Sequence, residues 1–186
     1  MTTDVVRVAA IDCGTNSIRL LIADVPQGAE DARDLADVER DMIITRLGQG
    51  VDRTGMLDPA AIQRTLDAAR LYQERIEDAG VADVIIAATS ASRDASNRAD
   101  FVEGIRAITG IEPRVITGAE EAALSFVGAI SSLPRDLKTP YLVVDIGGGS
   151  TEFVLGHSEV EQAVSVNMGS VRVTERFGPE PWTSER

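Results

Sequence analysis

Two segments of the chain follow the same plan, and this repeat constrains the fold more than any other feature of the sequence. Residues 9–23 (AAIDCGTNSIRLLIA) align with residues 142–156 (LVVDIGGGSTEFVLG) at an offset of 133. Each segment predicts an apolar strand, an aspartate, a turn rich in Gly, Ser and Thr, and a second apolar strand. The repeat therefore predicts two related α/β lobes, each with one glycine-rich turn.

The rest of the chain predicts strands that alternate with helices. Hairpins are expected over 5–25 and 141–155, and further strands at 40–47, 83–88, 114–116 and 160–166. Helices are expected at 59–80, 97–109 and 117–130. The glycines between 48 and 55 predict a mobile loop, and the end of the chain is expected to be weakly structured. We place the first lobe at residues 1–136 and the beginning of the second at residues 137–186.

Composition excludes several classes of site and partner. The chain has 18 basic and 30 acidic side chains, a net charge of −12, which argues against nucleic-acid binding and against docking on an anionic membrane. It has one Cys and one His, so neither an intrachain disulfide nor a multi-histidine metal site can form. No apolar run approaches ~20 residues, so we expect no membrane span and a cytoplasmic location. The single Lys is not in a Walker A loop.

The glycine-rich turns can bind phosphate. Backbone N–H groups of such a turn point into one concavity, and the Ser and Thr hydroxyls add further donors. The aspartate before each turn, Asp12 or Asp145, is a suitable ligand for Mg²⁺. The alternative is that both are plain hairpin turns. We expect Gly148 to allow close backbone approach and to adopt a positive φ.

Two side chains near these turns are candidates for chemistry. Thr117 and Glu120 form a capping box at a helix start, which leaves Glu121 free beside the positive end of the helix dipole. That position favours an ionised carboxylate, which can act as a general base towards water. Arg93 follows a buried strand, where it can contact a phosphate or pair with an acidic side chain.

Cys13 and Arg19 have the Cys-x5-Arg spacing of cysteine-dependent phosphatases. In those enzymes a thiolate attacks phosphorus, and its loop runs into a helix that lowers the pKa of the thiol. Here residues 18–23 predict a strand, and the repeat has Ile146 at the position of Cys13. We therefore disfavour a phosphocysteine mechanism.

Five motifs in order resemble the exopolyphosphatase/guanosine pentaphosphatase family of the actin-like ATPase superfamily. They are VAAIDCGTNSIRLLIADV, LGQGVDRTGMLDPAAIQRT, ATSASRDASN, VITGAEEAALSFVGAI and VVDIGGGSTEFVLG. The resemblance covers residues 5 to about 177 and implies two ribonuclease-H-like α/β lobes with the site in the cleft between them. It also implies that the family's second lobe continues beyond Arg186, so this chain holds an incomplete one.

The resemblance assigns roles by position. The family's first phosphate loop falls on Gly14, Thr15, Asn16 and Ser17, and its second on Gly147, Gly148, Gly149, Ser150 and Thr151. Its catalytic glutamate falls on Glu121, and a phosphate-binding arginine on Arg93. Acidic residues associated with Mg²⁺, or another divalent cation, fall on Asp145 and Glu152.

The implied activity is release of the terminal phosphate from linear polyphosphate. Hydrolysis of guanosine pentaphosphate uses the same chemistry, and a non-hydrolytic nucleotide- or polyphosphate-binding regulator of actin-like fold is the alternative from another class. Nothing in residues 1–186 selects between these substrates. The oligomeric state is equally open, with a homodimer as one option.

Overall fold

A five-stranded mixed sheet forms the centre of the first lobe. The computed structural model describes residues 4–29, 34–134 and 136–178. The strands of this sheet are β1 (Val5–Cys13), β2 (Ser17–Pro26), β3 (Ala36–Ile44), β4 (Asp83–Ala88) and β5 (Arg114–Val115). Their order is β3-β2-β1-β4-β5; the first two pairings are antiparallel, whereas β1–β4 and β4–β5 are parallel. The predicted hairpin over 5–25 is confirmed.

Helices cover one face of this sheet and close its core. They are α1 (Val51–Thr54), α2 (Pro59–Asp78), α3 (Ser90–Asp94) and α4 (Arg98–Thr109). Asp58 caps α2 as predicted, because its carboxylate accepts the N–H groups of Ala60 and Ala61 at 2.8 and 3.2 Å. Tyr72 of α2 and Phe101 of α4 are fully buried among the apolar side chains of the strands.

A separate three-stranded antiparallel sheet follows. Its strands are β6 (Tyr141–Ile146), β7 (Thr151–Gly156) and β8 (Val160–Val166), in that order. Helix α5 (Gly118–Ser131) packs on one face, where Phe126 meets Val154 in a small second core. The domain boundary at residue 136 stays a prediction; α5 lies before it and packs on the second sheet.

Three of the short helices described were not predicted. Helix α1 lies in the segment expected to be a mobile loop, α3 directly follows β4, and α6 (Ser170–Phe177) lies in the region expected to be weakly structured. None of the three has a side-chain hydrogen bond at its N-cap. The last residues of that region, 179–186, lie outside the described residues.

Within the described ranges, no helix is both long and apolar enough to cross a membrane.

Candidate active site

The two glycine-rich turns have the same backbone geometry. The N–H of Gly14 donates to the carbonyl of Ser17 at 3.0 Å, and the N–H of Gly147 donates to the carbonyl of Ser150 at 2.9 Å. The flanking strands also share their register, because Asp12 faces Arg19 in one hairpin and Asp145 faces Glu152 in the other. The repeat found in the sequence is therefore a structural repeat.

The turns face each other across a cleft of about 180 Å³. The predicted phosphate-loop residues that line it are Gly14, Thr15, Asn16, Ser17, Gly147, Gly148, Gly149 and Ser150. Thr89, Ser90 and Glu121 also line the cleft. Thr151 is the exception, because its hydroxyl donates to the carbonyl of Met168 and does not line the cleft.

Contact between the two turns explains why the second is made of glycine. A Cβ on Gly148 would lie 3.0 Å from Cβ of Thr15 and 3.2 Å from the backbone N of Asn16. A Cβ on Gly149 would lie 2.8 Å from Oγ1 of Thr15 and would overlap Oγ of Ser90. The glycines thus allow the two turns to approach each other closely, and the approach of this backbone to a phosphate stays a prediction.

The positive φ expected at Gly148 is wrong. Among the described residues, glycines with positive φ are found at 28, 50, 55, 80, 110 and 178 only. The second turn therefore uses glycine for space between the two loops rather than for left-handed backbone.

Among the residues that the structure describes, three buried polar atoms in the cleft lack a hydrogen-bond partner. They are Oγ1 of Thr15, Oγ of Ser90 and Oδ1 of Asp12. Buried polar groups are almost always hydrogen-bonded, so a cluster of unpaired ones marks a place where a polar ligand completes the bonding. Thr15 was predicted from the sequence as a phosphate-loop residue, whereas Ser90 was given no role. The feature that could have identified Ser90 is its position directly after the end of a strand.

Glu121 lies where α5 meets the cleft, and it pairs with Arg93. Nη1 of Arg93 donates to Oε2 of Glu121 at 2.7 Å and to the carbonyl of Ile116 at 2.9 Å. Both side chains are less than one-fifth exposed. Arg93 itself does not line the cleft, so its predicted phosphate contact stays a prediction.

The electrostatic expectation for Glu121 is wrong in sign. Burial raises the pKa of its carboxyl, Arg93 opposes that shift, and Glu152 and Asp12 add to it. The helix terminus was expected to favour the ionised form, whereas the net shift of the pKa is upward, with burial as its largest cause. A raised pKa makes this carboxylate a stronger base.

Glu120 has the structural role predicted for it. Its carboxylate accepts the N–H of Thr117 at 2.8 Å, and its own N–H donates to Oγ1 of Thr117 at 3.2 Å, which closes the capping box. The hydrogen bond from the Thr117 backbone lowers the pKa of Glu120.

The acidic residues of the site differ in their access to the cleft. Asp12 and Asp145 line it, and Asp145 accepts a hydrogen bond from Ser125. Glu152 is only 1% exposed, and its Oε1 accepts a hydrogen bond from Oγ of Ser165 at 2.7 Å.

Burial raises the pKa of Asp12; Arg19 opposes the shift and Asp145 adds to it. In the part of the chain described, no three side chains converge as a ready-made metal-ligand set.

Arg172 of α6 holds the second turn against the first lobe, and sequence reasoning missed it. Its Nε donates to the carbonyl of Gly149 at 2.8 Å, and its other nitrogens bind Asp52 of α1 and Asp94 of α3, both at 2.5 Å. Arg176 adds a second pair with Asp52. No local pattern marks such a residue, because its partners lie 23 to 120 positions away.

Cys13 is unsuited to nucleophilic attack. It is 1% exposed on β1, and burial raises the pKa of its thiol far above the ordinary value. The turn that follows it runs into strand β2, as predicted, and not into a helix. The environment that activates catalytic cysteines is missing.

Comparison with known proteins now decides the family. The family model of the Ppx/GppA phosphatases matches residues 21–185. The chain belongs to this family. It is 54% identical over 177 residues to exopolyphosphatase 2 of Mycobacterium tuberculosis (strain CDC 1551 / Oshkosh), an alignment covering 91% of this chain and 54% of that protein.

Solved structures of this Ppx/GppA phosphatase family agree in fold. An exopolyphosphatase-like protein superimposes with a TM-score of 0.87 at 47% identity, covering 93% of this chain and 54% of the other. An exopolyphosphatase from Cytophaga hutchinsonii superimposes with a TM-score of 0.86 at 31% identity, and the match covers 96% of this chain and 56% of the other. The chain thus spans about half the length of these relatives. The predicted fold class, a ribonuclease-H-like lobe of the actin-like superfamily, is confirmed.

Proposed function

We propose that the cleft hydrolyses the terminal phosphoanhydride bond of linear polyphosphate and releases orthophosphate. The observation that carries the proposal is the pair of facing turns with unpaired donors from Thr15 and Ser90 between them. Backbone N–H groups and hydroxyls of this kind bind the oxygens of a polyphosphate. Relatives named exopolyphosphatase at 54% and 31% identity support the choice of substrate.

Glu121 is the general base in this proposal. Its carboxylate lines the cleft, and the raised pKa suits it to take a proton from the attacking water. Arg93 orients the carboxylate through the 2.7 Å ion pair and opposes the rise in its pKa. The turns bind the phosphate oxygens and stabilise the charge that develops on them during in-line attack.

The carboxylates of the cleft suit a divalent cation, which we propose to be Mg²⁺. The buried, unpaired Oδ1 of Asp12 is a hard oxygen donor beside Asp145, and water can supply the remaining ligands of the ion. Asp145 therefore fits its predicted role, and Asp12 joins it; Glu152 is already engaged by Ser165. When bound, the ion would neutralise phosphate charge and polarise the bond that is cleaved.

Phosphate release with matched variants tests this proposal. We expect Glu121→Gln to lower turnover by roughly 10²- to 10⁴-fold, the usual effect of losing a general base, while polyphosphate affinity holds or rises. Glu120→Gln is the control, because a glutamine still serves the capping box and turnover should stay close to wild type. Equal turnover in wild type and Glu121→Gln would refute the assignment of the base.

The choice of substrate is tested by comparing polyphosphate and guanosine pentaphosphate side by side. Guanosine pentaphosphate places the same bond in the same cleft, so both substrates are assayed under identical conditions. Faster phosphate release from polyphosphate supports the proposal, and release from guanosine pentaphosphate alone would replace it. Binding of either compound without turnover, despite an intact Glu121, would favour the non-hydrolytic regulator. A cytoplasmic location and homodimer formation stay predictions.

A further inference from the structure

Helix α5 brings two polar side chains to the site, one helical turn apart. Glu121 lines the cleft, and Ser125 lies four residues later on the same face of the helix. Both residues, together with Asp145 of β6, also line a cavity of about 710 Å³ that adjoins the cleft. Asp12, Glu121 and Asp145 are shared by the cleft and this cavity. Ser125 is therefore close to the carboxylates of the site, although it does not line the cleft itself.

The side chain of Ser125 makes one specific contact. Its hydroxyl donates a hydrogen bond to Oδ2 of Asp145, a residue 20 positions later in the chain, and the contact is partly buried. The position of the hydroxyl is fixed by the packing of α5, because Ala122 and Phe126 are fully buried in one cluster with Val154 of β7. The helix thus holds the carboxylate of Asp145 from a rigid position.

The other oxygen of Asp145 is available to a ligand. Among the described residues, the hydrogen bond from Ser125 is the one that the carboxylate of Asp145 accepts. A carboxylate that binds a metal ion commonly accepts a hydrogen bond from the protein, which fixes its orientation. The contact with Ser125 has this form, since it engages Oδ2 and leaves Oδ1 to the cleft.

The equivalent aspartate of the first hairpin shows why Asp145 needs this support. Asp12 is faced by Arg19 at 3.9 Å, and its Oδ1 is buried without a partner. The charge of Asp145 adds to the rise in the pKa of Asp12, so the two carboxylates repel each other across the cleft. A turn of the Asp145 side chain away from Asp12 would relieve this repulsion, and the hydrogen bond from Ser125 opposes such a turn.

We infer that Ser125 is a positioning residue for the divalent cation, because it holds the carboxylate of Asp145 in the orientation that binds the ion. The inference rests on the proposed function, since the cation belongs to that proposal. Ser125 acts through Asp145 and contacts neither the ion nor the substrate. Loss of such a hydrogen-bond partner typically lowers metal affinity by roughly 10- to 100-fold.

The test measures binding of Mn²⁺ alone, which takes the same oxygen ligands as Mg²⁺ and is followed by electron paramagnetic resonance. We expect Ser125→Ala to bind Mn²⁺ roughly 10- to 100-fold more weakly than wild type. Ser125→Thr should bind close to wild type, because it keeps a hydroxyl on the same carbon. Ser131→Ala is the matched control on the same helix, since the Ser131 hydroxyl donates to the carbonyl of Gly128; it should leave the affinity unchanged.

A double-mutant cycle shows whether Ser125 acts through Asp145. Asp145→Asn should weaken Mn²⁺ binding by itself, and adding Ser125→Ala to it should have no further effect. Affinity for tripolyphosphate without metal should be equal in Ser125→Ala and wild type, because Ser125 does not line the cleft. In phosphate release, Ser125→Ala should need more Mg²⁺ for the half-maximal rate and should reach a rate close to wild type at saturating Mg²⁺.

Three results would overturn the inference. They are an unchanged affinity of Ser125→Ala for Mn²⁺, a loss that Ser125→Thr does not restore, and effects of Ser125→Ala and Asp145→Asn that simply add. Thermal melting of each variant verifies that it is folded. If the cycle behaves as expected but the wild type releases no phosphate, the inference holds and the proposed hydrolysis fails. If the wild type binds no Mn²⁺, the inference fails, and phosphate release alone decides on the hydrolysis.

Discussion

The two glycine-rich hairpins share a backbone and differ in almost everything attached to it. Their turns close with equivalent hydrogen bonds, and their strands pair in the same register. In the first hairpin the residues opposite each other are Asp12 and Arg19, whose charges are 3.9 Å apart. In the second they are Asp145 and Glu152, two acids. The backbone of the turn is repeated, whereas the first hairpin has opposite charges at the paired positions and the second has two acidic residues there.

The way each turn is held also differs. After β3, the backbone N–H groups of Thr45 and Arg46 donate to the carbonyl of Asn16. After β8, the carbonyl of the equivalent Gly149 accepts from the side chain of Arg172, which also reaches α1 and α3. The backbone N–H groups of residues 170–172 also donate to the carbonyls of Gly147 and Gly148, so each turn is held by the segment that follows its sheet, and the second is held by the Arg172 side chain against the first lobe as well. The comparison teaches that the geometry of the cleft depends on α6 as well as on the turns.

The largest effect is expected from filling the contact between the turns. Gly148→Val places a branched side chain against Thr15 and the N–H of Asn16. Because charge-assisted hydrogen bonds are worth about 1.5–3 kcal/mol each, loss of the shared concavity should lower tripolyphosphate affinity by about a hundredfold. Gly128→Val on α5 is the control, since a Cβ there meets nothing within 4 Å. Calorimetry measures the tripolyphosphate affinity of both variants. Unchanged affinity in a folded Gly148→Val variant would show that the triple glycine is only a hairpin turn.

A smaller effect is expected from releasing the second turn. Arg172→Ala removes the donor to Gly149 and leaves Asp94 without its arginine, and we expect a loss of about 2 kcal/mol in unfolding free energy. Tripolyphosphate affinity should also fall, because the two turns are no longer held together. Arg176→Ala is the control: its side chain is 52% exposed and pairs with the same Asp52, so it should cost less than about 1 kcal/mol. Equal effects in denaturant titrations would contradict the special role of Arg172.

The smallest effect concerns the pH dependence of turnover. Burial is the largest cause of the raised pKa of Glu121; Arg93 lowers this pKa, and Glu152 and Asp12, one from each hairpin, add to the rise. Glu152→Gln and Asp12→Asn should therefore move the acid limb of the kcat/KM profile to lower pH, the first more than the second. Arg93→Gln should move it to higher pH. Shifts in the reverse directions would show that another group sets this limb.

Features that depend on a few neighbouring residues were predictable from the sequence. The cap at Asp58 and the capping box at Thr117 depend on contacts within one helical turn, and the repeat is visible as two similar local patterns; all three are confirmed. The sign of the Glu121 pKa was not predictable in this way. It depends on burial and on carboxylates brought from both hairpins, and neither is visible from spacing along the chain.

Long-range pairing explains the other differences. Helix α6 lacks a cap and is held by the pairs of Arg172 and Arg176 with Asp52, more than a hundred residues earlier. The choice of glycine at position 148 similarly reflects a neighbour from the other hairpin rather than its own φ. In both cases the cause lies in how the two lobes meet.

The central claim is that both turns bind one phosphate chain together. Amide chemical shifts of the Glu121→Gln variant, recorded during titration with tripolyphosphate, test this most directly because no turnover is needed. We predict that the amides of residues 14–17 and 147–150 shift together and follow a single saturation curve. Shifts confined to one turn, with the other unchanged at saturation, would contradict the account.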